Sequence, residues 1–151
     1  MKISKNEPIL KAPSAILFLI GLMVIIHITF TKILSSGLGA SLFLNLAFVP
    51  NEFSRGDKLW TLISYAFLHG SWEHLIMNMV WLLAFGSAVA KRIESAKIYL
   101  LFFLLCCVIA IQVQYFFSRE SLIPIIGASG GVAAMLGASA RFAFSGDIFA
   151  N

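Results

Sequence analysis

Residues Ile125 to Phe144 read IIGASGGVAAMLGASARFAF, with Arg141 as their one charge. A helix crossing the ~30 Å hydrocarbon core of a bilayer needs about 20 predominantly apolar residues, so this stretch is long enough to span. Glycine, alanine and serine dominate it, the residues that let helices approach closely inside a membrane bundle. Ser129 stands near its start, flanked by Gly127-Ala128 and Gly130-Gly131. A serine hydroxyl is a weak nucleophile until a base takes its proton. The three histidines, His27, His69 and His74, all precede it.

Composition agrees with a membrane solvent. The 151 residues are 60% hydrophobic and 12% charged, with a mean hydropathy of +0.92. A soluble domain carries roughly twice that charged fraction. The sequence therefore predicts an all-α polytopic membrane protein. The net charge of +4 does not point to nucleic acid, because the positive residues flank apolar segments, as orientation in a bilayer requires. Cys106 and Cys107 are adjacent and mid-span. They have neither disulfide nor metal spacing and read as packing residues.

Working outward, a first apolar run extends from Ser14 to about Ile33, too long for a signal-peptide core. A second runs from about His74 to Ala90 and ends at Lys91-Arg92. A third runs from about Ile98 to Phe117, and Ile125 to Phe144 is the fourth. Between the first two, Leu38–Val49 and Leu59–Leu68 are too short to span. They predict a long, partly re-entrant first outer loop around a polar strip from Pro50 to Lys58. Trp60, Tyr65 and Trp72 suit the headgroup level. Lys2, Lys5, Lys11, Lys91, Arg92, Lys97 and Arg141 fall on one side of this four-span arrangement, and Lys32, Arg55, Lys58 and Arg119 on the other. The bias predicts a cytoplasmic N-terminus with the loop outside.

Polar groups mark one end of this bundle. His74 and Asn78 are four positions apart and share a helix face. Groups of this kind avoid hydrocarbon and face protein or water. An imidazole and a carboxamide can both donate to an oxyanion, or simply link helices by hydrogen bonds. The chain reverses between the second and fourth spans, so His74, Asn78 and Ser129 are predicted at one membrane level. Gly127 and Gly130 would let the backbone bend so that N–H groups at a helix start meet an anion. The string lacks the strand-turn-helix context of a G-x-S-x-G elbow. His27 reads as a mid-span packing residue far from this cluster. Gln112 and Gln114 read as packing or cavity-edge groups.

From about Trp60 to Phe144 the sequence resembles the rhomboid family of intramembrane serine proteases. The resemblance rests on His69, on His74-x-x-x-Asn78, on Gly86 to Arg92 and on Gly127-Ala128-Ser129-Gly130. It implies a helical bundle with a six-helix core that cleaves transmembrane protein substrates without metal or cofactor. It further implies Ser129 as nucleophile, and His74 and Asn78 as the side-chain part of an oxyanion hole completed by the Ser129 backbone N–H. Gly127 matches the glycine two positions before the nucleophile, and His69 a structural histidine. Two departures stand out. Trp60-Thr61 occupies a place where the family often has Trp-Arg. The family's base is a histidine on the sixth helix, whereas this sequence stops after the fourth apolar segment.

The expectation is a single truncated rhomboid-like domain, residues 1–151, inactive by itself. Its partners would be transmembrane substrates, the lipid bilayer and a separate segment carrying the missing helices, with no nucleic acid. Its place would be a bacterial inner membrane, spanned several times. The alternative is a non-catalytic rhomboid-like protein that binds transmembrane helices.

Overall fold

The computed structural model describes residues 12–144. Helix α1 (Ser14–Ile28) continues through a π-helical turn, Thr29–Ile33. Three short helices follow, α2 (Ser36–Leu46), α3 (Pro50–Ser54) and α4 (Thr61–Ser64). Next come α5 (Trp72–Trp81), a π-helical turn Leu82–Gly86, and α6 (Ser87–Ile93), stacked end to end. The long α7 (Ala96–Phe117) and then α8 (Ser129–Phe144) complete the bundle. Among the described residues there is no strand, only an isolated antiparallel bridge between Phe48 and Ile125.

Among the described residues, three helical segments are long and apolar enough to cross a membrane: Ser14–Ile33, Trp72–Ile93 and Ala96–Phe117. The second starts two residues earlier than the apolar run suggests. Ser71 caps it, its hydroxyl accepting the His74 N–H at 3.2 Å, which satisfies one of the donors a helix start leaves unpaired. Ser95 does the same for Ile98 at 3.4 Å.

The fourth apolar stretch departs from expectation. It is not helical from Ile125; the helix starts at Ser129 and has 16 described residues, about 24 Å at 1.5 Å per residue. The reason is local. Phe48 and Ile125 exchange N–H···O bonds of 3.1 and 2.7 Å, which holds residue 125 extended. Gly127 then takes a φ of +107°, a conformation glycine adopts far more easily than other residues.

Each spanning helix has one protein face and one lipid face. On α7 Tyr99, Phe103, Cys107 and Ile111 are buried, while Leu101, Leu105, Ile109 and Val113 are exposed. The four-residue spacing of both sets is what an α-helix requires. Lipid supplies no hydrophobic drive for helices to associate, so close packing must do so. A Cβ on Gly86 would lie 2.7 Å from the Tyr99 hydroxyl and 2.9 Å from Ile16 Cδ1. Three spans therefore meet where only a hydrogen fits.

The outer loop is stitched down at several points. The Trp60 indole donates to the Asn45 carbonyl at 2.8 Å and the Ser64 hydroxyl to the Leu46 carbonyl at 2.7 Å. Lys58 pairs with Glu52 at 2.9 Å. Trp60 and Trp72 are exposed, but Tyr65 is buried at 3% exposure instead of lying at the headgroup level. Its hydroxyl donates to the Cys107 carbonyl at 2.7 Å. That bond gives the phenol a partner inside the protein.

Candidate active site

Asn78 and Ser129 come from different helices and face one cavity. Its volume is about 380 Å3, and Trp81, Phe85, Val132 and Leu136 form its apolar walls. Asn78 is buried on α5, one turn after His74, and its amide donates to the His74 carbonyl at 2.9 Å. Ser129 is the first residue of α8 and is exposed. It also borders a second cavity of about 180 Å3, shared with Tyr65, Gln114 and Gly127.

The turn before Ser129 brings His74 into the same group. A Cβ on Gly127 would sit 2.7 Å from both Cε1 and Nε2 of His74, and 3.9 Å from Nδ2 of Asn78. The bare backbone of Gly127 thus lies directly on the imidazole. The Gly127 N–H donates to the Tyr65 carbonyl at 2.9 Å, which fixes the turn to the outer loop. The three polar residues therefore lie together where α5 and α8 begin. At that helix start the backbone N–H groups carry the positive end of the dipole and suit a developing anion.

The Rhomboid domain family matches residues 56–148, well over half of the chain. This chain belongs to the rhomboid family. Over 52 residues it is 36% identical to the rhomboid protease GlpG of Serratia proteamaculans, covering 34% of this chain and 19% of that protein. Over 49 residues it is 39% identical to the rhomboid protease GlpG of Klebsiella pneumoniae, covering 32% and 18%. The chain thus spans about a fifth of the length of the curated relatives it matches. It is an integral membrane protein of a rhomboid-type intramembrane protease family.

Around this rhomboid site the remaining histidines fall into place. His69 is buried, and its ring packs edge-on against His74 with centroids 5.1 Å apart. Burial, followed by the neighbouring His74, pushes the His69 imidazole down to about 4, against the opposing pull of the Phe67 carbonyl. His69 is therefore neutral at pH 7, which suits a packed structural group. His27 is not remote from the cluster. Its ring meets that of Trp72 edge-on at 4.5 Å, so it lies at the same end of the bundle as the start of α5. The π-helical turn after Ile28 carries α1 onward past that level.

Gly130 also differs from its expected use. Only Gly127 and Gly56 have positive φ among the described glycines. A Cβ on Gly130 would fall 2.5 Å from that of Ala110, and one on Gly131 would fall 2.6 Å from Cys107 Sγ. Both glycines let α8 seat against α7 rather than bend the chain.

Sequence reasoning missed two supporting residues. Ser71 was legible as a serine three positions before His74, a helix-start pattern. Tyr65 carried no such signal, because its partners Gly127 and Cys107 are remote in sequence. Ser129 Oγ has no hydrogen-bond partner among the described residues. No group of three His, Cys, Asp or Glu residues among them could hold a metal ion.

Proposed function

We propose that this chain contributes the nucleophile and oxyanion hole of a rhomboid serine endopeptidase acting on transmembrane protein substrates. The supporting observation is that Asn78 and Ser129 face one cavity while His74 lies on the Gly127 turn. Ser129 Oγ attacks the scissile carbonyl carbon, forming the C–O bond as the carbonyl π pair moves onto oxygen. The His74 ring N–H, the Asn78 amide and the Ser129 backbone N–H donate to that oxyanion. The Ser129 proton passes to a base, which returns it to the departing amine as the C–N bond breaks.

No described histidine is hydrogen-bonded to Ser129, and taking His74 as base would remove an oxyanion donor. The base is assigned to a further segment, in the same polypeptide or a separate one. Residues 1–151 act as one domain, inactive without that segment; loss of a triad member costs several orders of magnitude in kcat. The proposed location is a bacterial inner membrane with the N-terminus cytoplasmic, an orientation that the charge bias supports.

A serine-directed fluorophosphonate probe tests this. Residues 1–151 alone should stay unlabelled, and labelling should appear when base-bearing helices are supplied and vanish in Ser129→Ala. Labelling of the isolated chain would overturn the inactivity. A failure to label with any supplied segment would favour a non-catalytic protein that binds transmembrane helices.

A further inference from the structure

Two buried imidazoles take no part in the proposed chemistry. His27 on α1 is 3% exposed and His69 in the outer loop 6%. Both ring nitrogens of His69, and Nε2 of His27, are closed to solvent and make no hydrogen bond of good geometry among the described residues. The Phe67 carbonyl lies beside the His69 ring, and the titratable groups acting on that ring are His74 from α5 and His27 from α1. Lys32, after α1, and Glu73, on α5, are both exposed, and neither acts on the His69 ring. A charge on His69 would therefore meet two other imidazoles and no carboxylate.

These rings join the outer loop to the site. His27 meets Trp72 edge-on at 4.5 Å, His69 meets His74 at 5.1 Å, and the Gly127 turn rests on the far side of the His74 ring. The segment that carries His69 is loosely tied. It links the 3-10 turn Tyr65–Phe67 to α5, and neither His69 nor Gly70 makes a backbone hydrogen bond among the described residues. Segments held by few such bonds open locally at less cost than the whole fold. A cavity of about 470 Å3 lies beside His69, bordered by Thr31, Ser35 and Ser36. All three are exposed, so their hydroxyls and solvent can receive a displaced imidazolium.

Protonating His69 in place would bury an unpaired charge, which is strongly unfavourable; moving the ring avoids it. We propose that His69 is an acid-released latch on the site: on taking up a proton its ring leaves His74, and the His74–Gly127 contact loosens while the helices stay folded. The pH window follows from the two states of the ring. Burial first, then His74, holds it down to about 4 while closed, against an ordinary 6.5. The open form therefore gains by binding a proton that the closed form refuses. The latch is fully closed above 6.5 and is released progressively as pH falls to 4. Its effect on catalysis rests on the oxyanion role proposed for His74; the release itself does not.

The test is NMR of the full chain in detergent micelles with 13C-labelled histidine. The chain has three histidines, so three ring signals are followed from pH 7.5 to pH 4, with far-UV circular dichroism alongside. The His69 signal should stay in its neutral position at 6.5, where a free imidazole is already half-charged. At lower pH it should change in one step with the His74 signal, with helix content unchanged. His69→Phe and His69→Gln are two neutral replacements, so that misfolding of one leaves the other. Each should remove the shared step and leave His74 only its own titration. A wild-type His69 midpoint near 6.5 would show that the ring is not closed off. An unchanged His74 profile in the variants, or loss of helix in the same step, would equally overturn the latch. Labelling of Ser129 enters none of these readings, so the latch and the proposed nucleophile stand or fall separately.

Discussion

Gly127 and His74 are in contact across the α5–α8 junction so closely that a Cβ at position 127 would stand 2.7 Å from the imidazole Nε2. The contact couples the turn that presents Ser129 to the ring proposed as an oxyanion donor. Gly127→Ala combines two penalties, a steric clash with His74 and a positive φ that alanine resists. Strain of this backbone kind costs about 1–3 kcal/mol. The variant should melt at lower temperature in detergent and lose probe labelling in the presence of base-bearing helices. Adding His74→Ala should relieve the clash but leave the φ strain. A Gly127→Ala protein with wild-type melting would show that the turn is not held as described.

Helices α7 and α8 meet through Gly130 and Ala110. Gly130→Ala forces two methyl groups to a 2.5 Å separation, and overpacking of this kind costs about 1–3 kcal/mol. Ala110→Gly in the same chain removes the opposing methyl and should recover part of the loss. Thermal unfolding of the two single variants and the double variant gives the coupling directly. Strict additivity would sink the proposed contact.

Tyr65 ties the outer loop to both helices, with its carbonyl on Gly127 and its hydroxyl on the Cys107 carbonyl. Tyr65→Phe removes the second bond and keeps the first. Stability should fall by about 1 kcal/mol, the usual net value of such a bond. Labelling of Ser129 in the reassembled protein should remain, since the backbone bond that holds the turn survives.

His69 gives the fold a pH dependence. Its imidazole is held down to about 4 from an ordinary 6.5, first by burial. As pH falls through 6.5 the unfolded chain takes up a proton that the folded chain refuses until about 4. Stability is therefore full above 6.5 and is lost progressively down to 4. Melting curves at pH 7.5 and pH 5 should differ more for the wild type than for His69→Phe. An equal drop in both proteins would remove His69 as the cause.

The membrane class, three of the spans and the identity of the polar residues were legible in the sequence because each is a local property. Twenty apolar residues in a row need a bilayer whatever surrounds them, and a four-residue spacing puts His74 and Asn78 on one face of any helix. The common level of Ser129 and that pair followed from counting chain reversals. The fourth helix was not legible in the same way. Hydropathy is continuous from Ile125, and it cannot register that a bridge to Phe48, 77 residues away, keeps the first of those residues extended. Tyr65 and His27 were misplaced for a related reason, since an aromatic ring with a polar tip suits an interface or a core equally well until its partner is known.

The sequence by itself thus determined the solvent, the helical class and the chemistry available at one end of the bundle. The tertiary structure alone decided how that chemistry is brought together. The start of α8 at Ser129, the seating of Gly127 on His74 and the approach of Gly130 to Ala110 all depend on contacts between segments distant along the chain. Helical periodicity says which face a residue occupies, but only packing says what that face meets.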